Sequence, residues 1–465
     1  MKNNLFNQIC SEDKLFHDEQ ENAYSYVKLN DYYEVMPIES KQYRDLIERR
    51  LYKANLSCST NEIENIVTAA RLKAVHDKPE RKLHIRVAEH KGDFYYDLGN
   101  GHAVKTTTNG WCIGQTSKVL FQHFKTQTLQ ASPTRNGDIN LLNKYMSNVL
   151  PNERLLLLVH IVIAFIPNIV HAPLLIQSEK GSGKSTLAKM MKQIIDPCVS
   201  LALILGKDPE SLMLNLQGHY FANFDNVSKL SSDISDYFCA AITGVSMERR
   251  KRYTDNERVT TKIANSCISF NGIDFGALKE DLLDRSLLIR LERQNMKKLP
   301  DTEIWKQFTA DLPFILGGIF DTIVEAKKLF NSSCPKSKFR LEDYNNWGYA
   351  IASVLGKGAK YITVLDDNHM SKHLTLINAN ALCQAIMEFM CDKPRWKGQP
   401  RALLTYLDQI AIDKRLGKNT QLWPKSAIEL SFQLKKYKAI LSETEILVEW
   451  GKRTNKGSTI IISKI

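Results

Sequence analysis

No two of the nine cysteines in this sequence form a CxxC pair, and none joins a histidine at zinc-ligand spacing. They are scattered at Cys10, Cys58, Cys112, Cys198, Cys239, Cys267, Cys334, Cys383 and Cys391, and their number is odd. That argues against a zinc module and against a secreted disulfide framework; free thiols in a reducing cytoplasm are the expectation. Long apolar runs are lacking too. The most apolar stretch, Leu155–Val170, contains His160 and Pro167 and falls short of the ~20 residues that a membrane span needs. It reads as a buried core helix, and no membrane partner is expected. The segment Met1–Gln20 is polar and mixed in charge, unlike a secretory leader. Internal repeats and low-complexity tracts are also missing.

What is there is an ordinary globular composition over 465 residues, 43% hydrophobic and 25% charged. That length implies more than one domain. The net charge of +12 is unevenly spread. From Lys393 to Ile465, 15 lysines and arginines face 6 aspartates and glutamates, which places +9 of the total in the last sixth of the chain. A basic terminal module on a near-neutral body suits a polyanionic partner such as nucleic acid, although a solvated basic surface has the same composition.

Four regions follow. Residues 1–135 read as a small α+β domain, with helical spacing over Tyr43–Leu56 and Asn61–His76 and a hairpin pattern in Lys82–Ala88 and Asp93–Leu98. Ser132–Asp138 (SPTRNGD) reads as a turn-rich linker. Residues 136–300 alternate strands and helices from Ala172 onward, which implies a parallel sheet covered by helices. Residues 301–392 are almost wholly helical, and 393–465, after the Pro/Gly/Lys segment Cys391–Pro400, read helix, helix, hairpin. The fold class is therefore α/β and multidomain.

The firmest motif is Ser178–Thr186 (SEKGSGKST): Ser178, Glu179, Lys180, Gly181, Ser182, Gly183, Lys184, Ser185, Thr186. It sits between the apolar strand Pro173–Gln177 and the helix-forming LAKMMKQII, the strand–loop–helix context of a P-loop. Backbone N–H groups and a helix N-terminus would then face phosphate oxygens, and Gly181 and Gly183 allow close approach. Lys184 would meet the β- and γ-phosphates of ATP, and Ser185 would give a hydroxyl to Mg²⁺. Ser178 stands where the motif's first glycine is usual.

A second strand, Tyr220–Phe224, delivers Asp225 as the Mg²⁺-linked carboxylate, followed by Asn226. Asn226 can position a water but cannot take its proton, which leaves the general base open. A third strand, Ser266–Phe270, brings Asn271 to the same edge as a γ-phosphate sensor. Arg285, in LLDRS before the strand Leu287–Leu291, is placed to reach a neighbouring subunit's site as a finger; an ion pair with Asp284 is the alternative.

Ser246–Ile263 has the signature of a β-hairpin whose first arm carries Arg249, Arg250, Lys251 and Arg252. Projecting from the core, those cations could track a DNA backbone. In the C-terminal module a helix begins near Trp423-Pro424-Lys425, with Leu430, Leu434 and Tyr437 inward and Lys435, Lys436 and Lys438 outward. Two strands then flank a tip carrying Lys452, Arg453 and Lys456. That describes a winged helix-turn-helix, with Lys425 and the helix lysines on duplex DNA and the wing on its backbone; a winged helix used for protein contact has the same outline.

The runs TGVSMERRKRYTDNERVTTKIANSCISFNGI, LLDRSLLIRL and WPKSAIELSFQLKKY, with KLHIRVAEHKGDFYYDLGNG upstream, resemble the AAA+ replicative helicases of phages and mobile genetic elements. They are similar to the self-loading helicases of staphylococcal pathogenicity islands and chromosomal cassettes, which share features with superfamily 3 and minichromosome-maintenance helicases. The resemblance implies a homo-oligomeric, hexameric ring that translocates on single-stranded DNA and starts replication of its element. It implies an AAA+ core over 136–300, a helical lid over 301–392 with Arg340 (KFRLEDY) as a second sensor, and a winged helix over 393–465. Priming would come from a separate primase, with a single-strand-binding protein as a further partner. Two other readings remain: a DNA-bound initiator or loader ATPase that does not unwind, which Asn226 keeps open, and a small-molecule P-loop kinase, which explains neither the hairpin nor the winged helix.

Overall fold

The computed structural model describes residues 2–29, 32–179, 181–206, 208–227, 230–250, 258–263, 266–272, 278–293, 300–330, 334–378, 380–416, 423–451 and 459–464. At its centre lies a five-stranded parallel sheet: β1 Leu174–Ser178, β2 Leu203–Ile204, β3 Phe221–Asp225, β4 Cys267–Gly272 and β5 Leu287–Leu291. The strand order is β2-β3-β4-β1-β5. The strands are short and almost continuously apolar because both faces of the sheet are covered. Alternation decides which face each residue serves. Leu174, Ile176, Phe221, Cys267, Leu287 and Ile289 join one apolar cluster with the helices Arg154–Ile163 and Lys184–Ile195. Leu175, Ala222, Phe224, Ile268, Phe270 and Leu288 join another, with the helices Pro209–Gly218, Ser232–Thr243 and Glu280–Asp284.

Inserting β4 between β1 and β3 has a direct consequence for the site. Asn271 pairs in register with Ile176 of β1, and Phe270 pairs with Phe224 of β3. The C-terminal ends of three strands therefore open on one crevice, the place where open parallel sheets hold ligands. Between the helix Ser232–Thr243 and β4, an antiparallel hairpin pairs Val245–Arg250 with Arg258–Ile263.

The stretch expected as a linker is instead pressed onto a helix. Thr134 and Asp138 donate backbone N–H groups to the carbonyls of Pro313 and Phe314 in the helix Asp301–Leu329. A Cβ on Gly137 would lie 2.0 Å from the Gly318 nitrogen, and one on Gly317 would lie 2.0 Å from the Thr134 oxygen. Only glycines permit this backbone-on-backbone crossing.

Toward the N-terminus, an antiparallel sheet (Lys14–His17, Ala23–Leu29, Tyr32–Pro37) packs with the helices Lys2–Cys10, Lys41–Lys53 and Thr60–Asp77. A second, four-stranded meander runs Val87–His90, Asp93–Asp97, His102–Thr106, Trp111–Gln115. Its Phe94, Tyr96, Val104 and Trp111 share an apolar cluster with the central sheet and with Asp301–Leu329. The expected strand Lys82–Ala88 is interrupted at Arg86, whose φ is +60°. Arg86 is 1% exposed, and its Nε lies 2.7 Å from Asp196, at the end of the Lys184–Ile195 helix. That buried pair bolts the meander to the helix that follows the glycine loop.

Beyond the helices Glu342–Val354 and Gly358–Asn378, the chain forms three helices, Ala381–Phe389, Pro400–Asp413 and Ala427–Glu443, and a three-stranded antiparallel sheet. Its strand Arg395–Gly398 lies inside the segment expected to be a linker and pairs with Ile460–Lys464, which pairs in turn with Ile446–Trp450. Ser426 caps the third helix by accepting from Glu429 N–H, so this helix starts after Pro424 rather than at it. No helix among the described residues is long and apolar enough to cross a membrane.

Candidate functional site

β1 ends at Ser178, and the chain turns through a glycine loop into the helix Lys184–Ile195. Gly181 (φ +81°) and Gly183 (φ +87°) hold left-handed backbone that side chains disfavour. Lys180 lies outside the described residues. Ser178 does not share that conformation. Its buried hydroxyl accepts from Ser182 Oγ at 2.5 Å, and Ser182 Oγ also contacts the Glu179 carbonyl. A serine at this position closes the loop internally, which a glycine could not do. Glu179 faces solvent and Thr186 is half-buried on the helix. Lys184 is buried at the first turn of the helix.

Two strand ends converge on Ser185. Its hydroxyl donates to Asp225 Oδ1 at 3.1 Å and accepts from Asn271 Nδ2 at 3.3 Å. Asn271 is fully buried, and its Oδ1 has no hydrogen-bond partner among the described residues. A buried carbonyl oxygen left unpaired is costly, and here it belongs to a side chain already engaged with Ser185. Asn226 adopts φ +55°, a conformation that asparagine tolerates far better than longer side chains do, and its N–H returns to Asp225 Oδ1 at 2.9 Å. The residues fit a triphosphate and its divalent cation on their own chemistry: a positive-φ loop, a buried lysine, a hydroxyl–carboxylate pair and an unpaired amide oxygen.

Asn148 was not legible from any motif. Its side chain donates to the Ser182 carbonyl, its own carbonyl accepts from Glu292 N–H, and a Cβ on Gly183 would meet its Nδ2 at 3.1 Å. It ties the loop to the strip beside β5, where Glu153 grips Arg290 Nε at 2.7 Å.

Arg285 sits at the other end of the sheet. Leu287, two residues later, pairs with Leu174 at the start of β1, about 13 Å of strand below Ser178 at ~3.3 Å per residue. The Arg285 side chain is 14% exposed, and its guanidinium contacts Asp281 at 3.2 Å and the Cys239 carbonyl at 3.4 Å. The carboxylate it pairs with is thus Asp281, one helical turn back, rather than Asp284. Arg340 reaches the same Asp281 from the segment before Glu342–Val354. Burial pushes the Asp281 carboxyl up, but hydrogen bonds from the Cys239 thiol and Arg340 and the charges of both arginines hold it below the usual range. From the helix Gly358–Asn378, buried Lys372 donates to the carbonyls of Leu283 (2.9 Å) and Ser286 (2.6 Å), capping the short helix that presents Arg285.

The basic residues divide into described and undescribed. Arg249 pairs in register with Val259 and Arg250 with Arg258, on the last turn-side rungs of the hairpin; Lys251 and Arg252 lie outside the described residues. Lys425, Lys435, Lys436 and Lys438 are exposed. Lys435 and Lys438 both approach the Trp450 ring at 5.8 Å, so the third helix and the following strand share one basic seam. Lys452, Arg453 and Lys456 lie outside the described residues.

Asp196, Cys198 and His219 form a buried cluster with metal-ligand chemistry. Lys192 fills it: its Nζ lies 2.6 Å from Asp196 and 3.2 Å from His219 Nδ1 and donates to the Phe221 carbonyl. An ammonium already supplies the cation there, so the cluster reads as a structural ion network.

The family described as the actinomycete integrative conjugative element replication protein matches residues 140–370, and the RepA C-terminal domain of the same elements matches residues 382–465. Among solved structures, the chain is similar to the SCCmec type IV Cch active helicase, at 12% identity and a TM-score of 0.50, covering 97% of this chain and 92% of that one. It is also similar to the apo A form of the NrS-1 C-terminal region, at 11% identity and a TM-score of 0.46, covering 99% of each chain. No curated protein matches.

Proposed function

The chain belongs to the RepA replication proteins of integrative mobile elements, and we propose that it acts as their ATP-driven DNA helicase: an AAA+ ring, most simply a hexamer, that translocates on single-stranded DNA. The observation that carries this reading is the convergence of Asp225 and Asn271 on Ser185 beside a positive-φ glycine loop. Lys184 and the loop amides bind the triphosphate, while Ser185 and Asp225 hold the divalent cation. When bound, that cation neutralises charge on the β- and γ-phosphate oxygens. Asn271 and Asn226 orient the attacking water. Asn226 cannot accept its proton, so it acts as a positioning group.

Arg285 serves a neighbour. Its place at the N-terminal end of the sheet, away from its own loop, supports action in trans on the charge that develops on the transferred phosphoryl group. Arg340, on the lid formed by residues 301–392, meets Asp281 beside Arg285, so as the second sensor it too serves the neighbouring subunit's site. The hairpin arm Arg249–Arg252 faces the DNA strand in the pore. Residues 393–465 form a winged helix that holds duplex DNA through Lys425, Lys435, Lys436, Lys438 and the wing residues Lys452, Arg453 and Lys456. The similar SCCmec protein is described as an active helicase, in keeping with this reading.

A second reading is a DNA-bound initiator or loader that uses ATP as an assembly switch; Asn226 in place of a carboxylate favours it. DNA-stimulated phosphate release separates the two readings, and its dependence on Lys184 tests the ATP site they share. Single-stranded DNA should accelerate turnover by the wild-type chain, and Lys184→Ala should abolish it. Equal turnover with and without DNA would remove the motor reading.

A further inference from the structure

The helix Ala427–Glu443 buries Leu430, Leu434, Ile440 and Leu441 and turns its other side to solvent. On that side Ile428 is 83% exposed and Phe432 is 71% exposed, one turn apart. Lys435 and Lys436 come next on the same stripe, at i+7 and i+8 from Ile428, and both are exposed. Single exposed apolar side chains are ordinary. Two large ones in succession, continued by two cations, are a surface with a chemical pattern. Packing does not account for them, since neither joins an apolar cluster among the described residues.

The surroundings of the stripe select its partner. Lys425 is exposed just before the helix, and Lys435 and Lys438 gather at the Trp450 seam. Glu429, the acid in the first turn, is engaged in capping: its carboxylate accepts from Lys425 N–H and its own N–H donates to Ser426. An apolar strip bracketed by lysines complements a polyanion that offers an apolar feature between its charges. Duplex DNA has one such feature on its base edges, the C5-methyl group of thymine in the major groove.

We propose that Ile428 and Phe432 read thymine methyl groups in the major groove while the flanking lysines grip phosphates, so that the helix selects T-containing duplex. The inference rests on the reading of the C-terminal module as a DNA-binding winged helix and adds its base preference. The stripe's apolar half offers no bidentate donor or acceptor for guanine or adenine. Its discrimination comes from burying methyl groups.

The test compares a short duplex of alternating A·T pairs with the same duplex carrying deoxyuridine for thymidine, which removes only the C5-methyl groups. Binding of the full chain is followed by fluorescence anisotropy. The uridine duplex should bind about fourfold more weakly per contacted methyl, roughly fifteenfold for two. Both side chains are exposed, so Ile428→Ser with Phe432→Ser should preserve the fold. That double variant should bind both duplexes alike, close to the wild-type affinity for the uridine duplex. Equal wild-type binding to both duplexes would overturn the thymine reading and leave the DNA-binding module standing. No duplex binding even at low salt would overturn both. If the double variant keeps the thymine preference but changes the oligomeric state, the stripe is a protein interface and the proposal is wrong.

Discussion

The side-chain amide of Asn271 donates to the hydroxyl of Ser185 at 3.3 Å, joining a strand end to a helix start 86 residues earlier in the chain. The same hydroxyl donates to Asp225. This couples the residue proposed to sense the γ-phosphate to the pair proposed to hold the cation, while Asn271 Oδ1 has no hydrogen-bond partner among the described residues. Asn271→Ala should therefore keep nucleotide binding within a few-fold and lower turnover by about two orders of magnitude, the usual effect of removing one transition-state contact. Fluorescent nucleotide titration and phosphate release measure the two separately.

Arg285 is proposed to serve a neighbour, and complementation examines that directly. Arg285→Ala should bind ATP normally and lose about 10³-fold or more in turnover. Lys184→Ala subunits are inactive themselves but retain the finger. Mixing the two variants should restore phosphate release, because Lys184→Ala subunits lend Arg285 to sites that lack it. Mixtures no more active than either variant alone would place Arg285 outside the neighbouring site.

The crossing of residues 132–138 over the helix Asp301–Leu329 predicts a strong steric effect. Gly137→Ala would set a methyl group 2.0 Å from the Gly318 nitrogen, and the atoms it meets are backbone rather than yielding side chains. Thermal unfolding should show a loss of about 3 kcal/mol, at the upper end of overpacking effects. Gly92→Ala is a useful contrast: a Cβ there meets nothing within 4 Å, although its φ of +80° adds local strain.

Burial drives four histidine imidazoles down: His160 to about 3, and His84, His171 and His219 to about 4, with the Lys82 charge helping at His84 and the Lys192 charge at His219. In the unfolded chain they titrate near 6.5. Between pH ~6.5 and ~4 the unfolded state therefore binds more protons, and stability must fall as pH falls through that window. Each histidine contributes a slope of up to about 1.4 kcal/mol per pH unit. His160→Gln can keep a hydrogen bond to Tyr344 and should flatten the acid limb of a melting-temperature profile by about one proton's worth. An unchanged slope would show that His160 is protonated in the folded chain.

The local chemistry of the site was legible because it is written in adjacent residues: Gly181, Gly183, Lys184 and Ser185 follow one strand, and Asp225 and Asn271 each end another. Helical and strand periods likewise exposed the hairpin and the third C-terminal helix. What stayed hidden depends on contacts between distant segments. Asn148 carries no motif and acquires its role only where the chain folds back on Ser182. Asp281 is an ordinary helix acid until Arg285 and Arg340 both reach it. Arg86 sits in an alternating stretch that looked like a continuous strand, but its burial against Asp196 breaks that strand. The strand Arg395–Gly398 lies in a Pro/Gly/Lys stretch whose composition favours a loop, and only pairing with Ile460–Lys464 extends it.

Unwinding of a forked duplex measures whether this site drives strand separation. With ATP and a divalent cation, the wild-type chain should release the labelled strand, and Lys184→Ala under the same conditions should release none. ATP hydrolysis and DNA binding by the wild-type chain without any strand release would contradict the helicase assignment and leave the loader reading in its place.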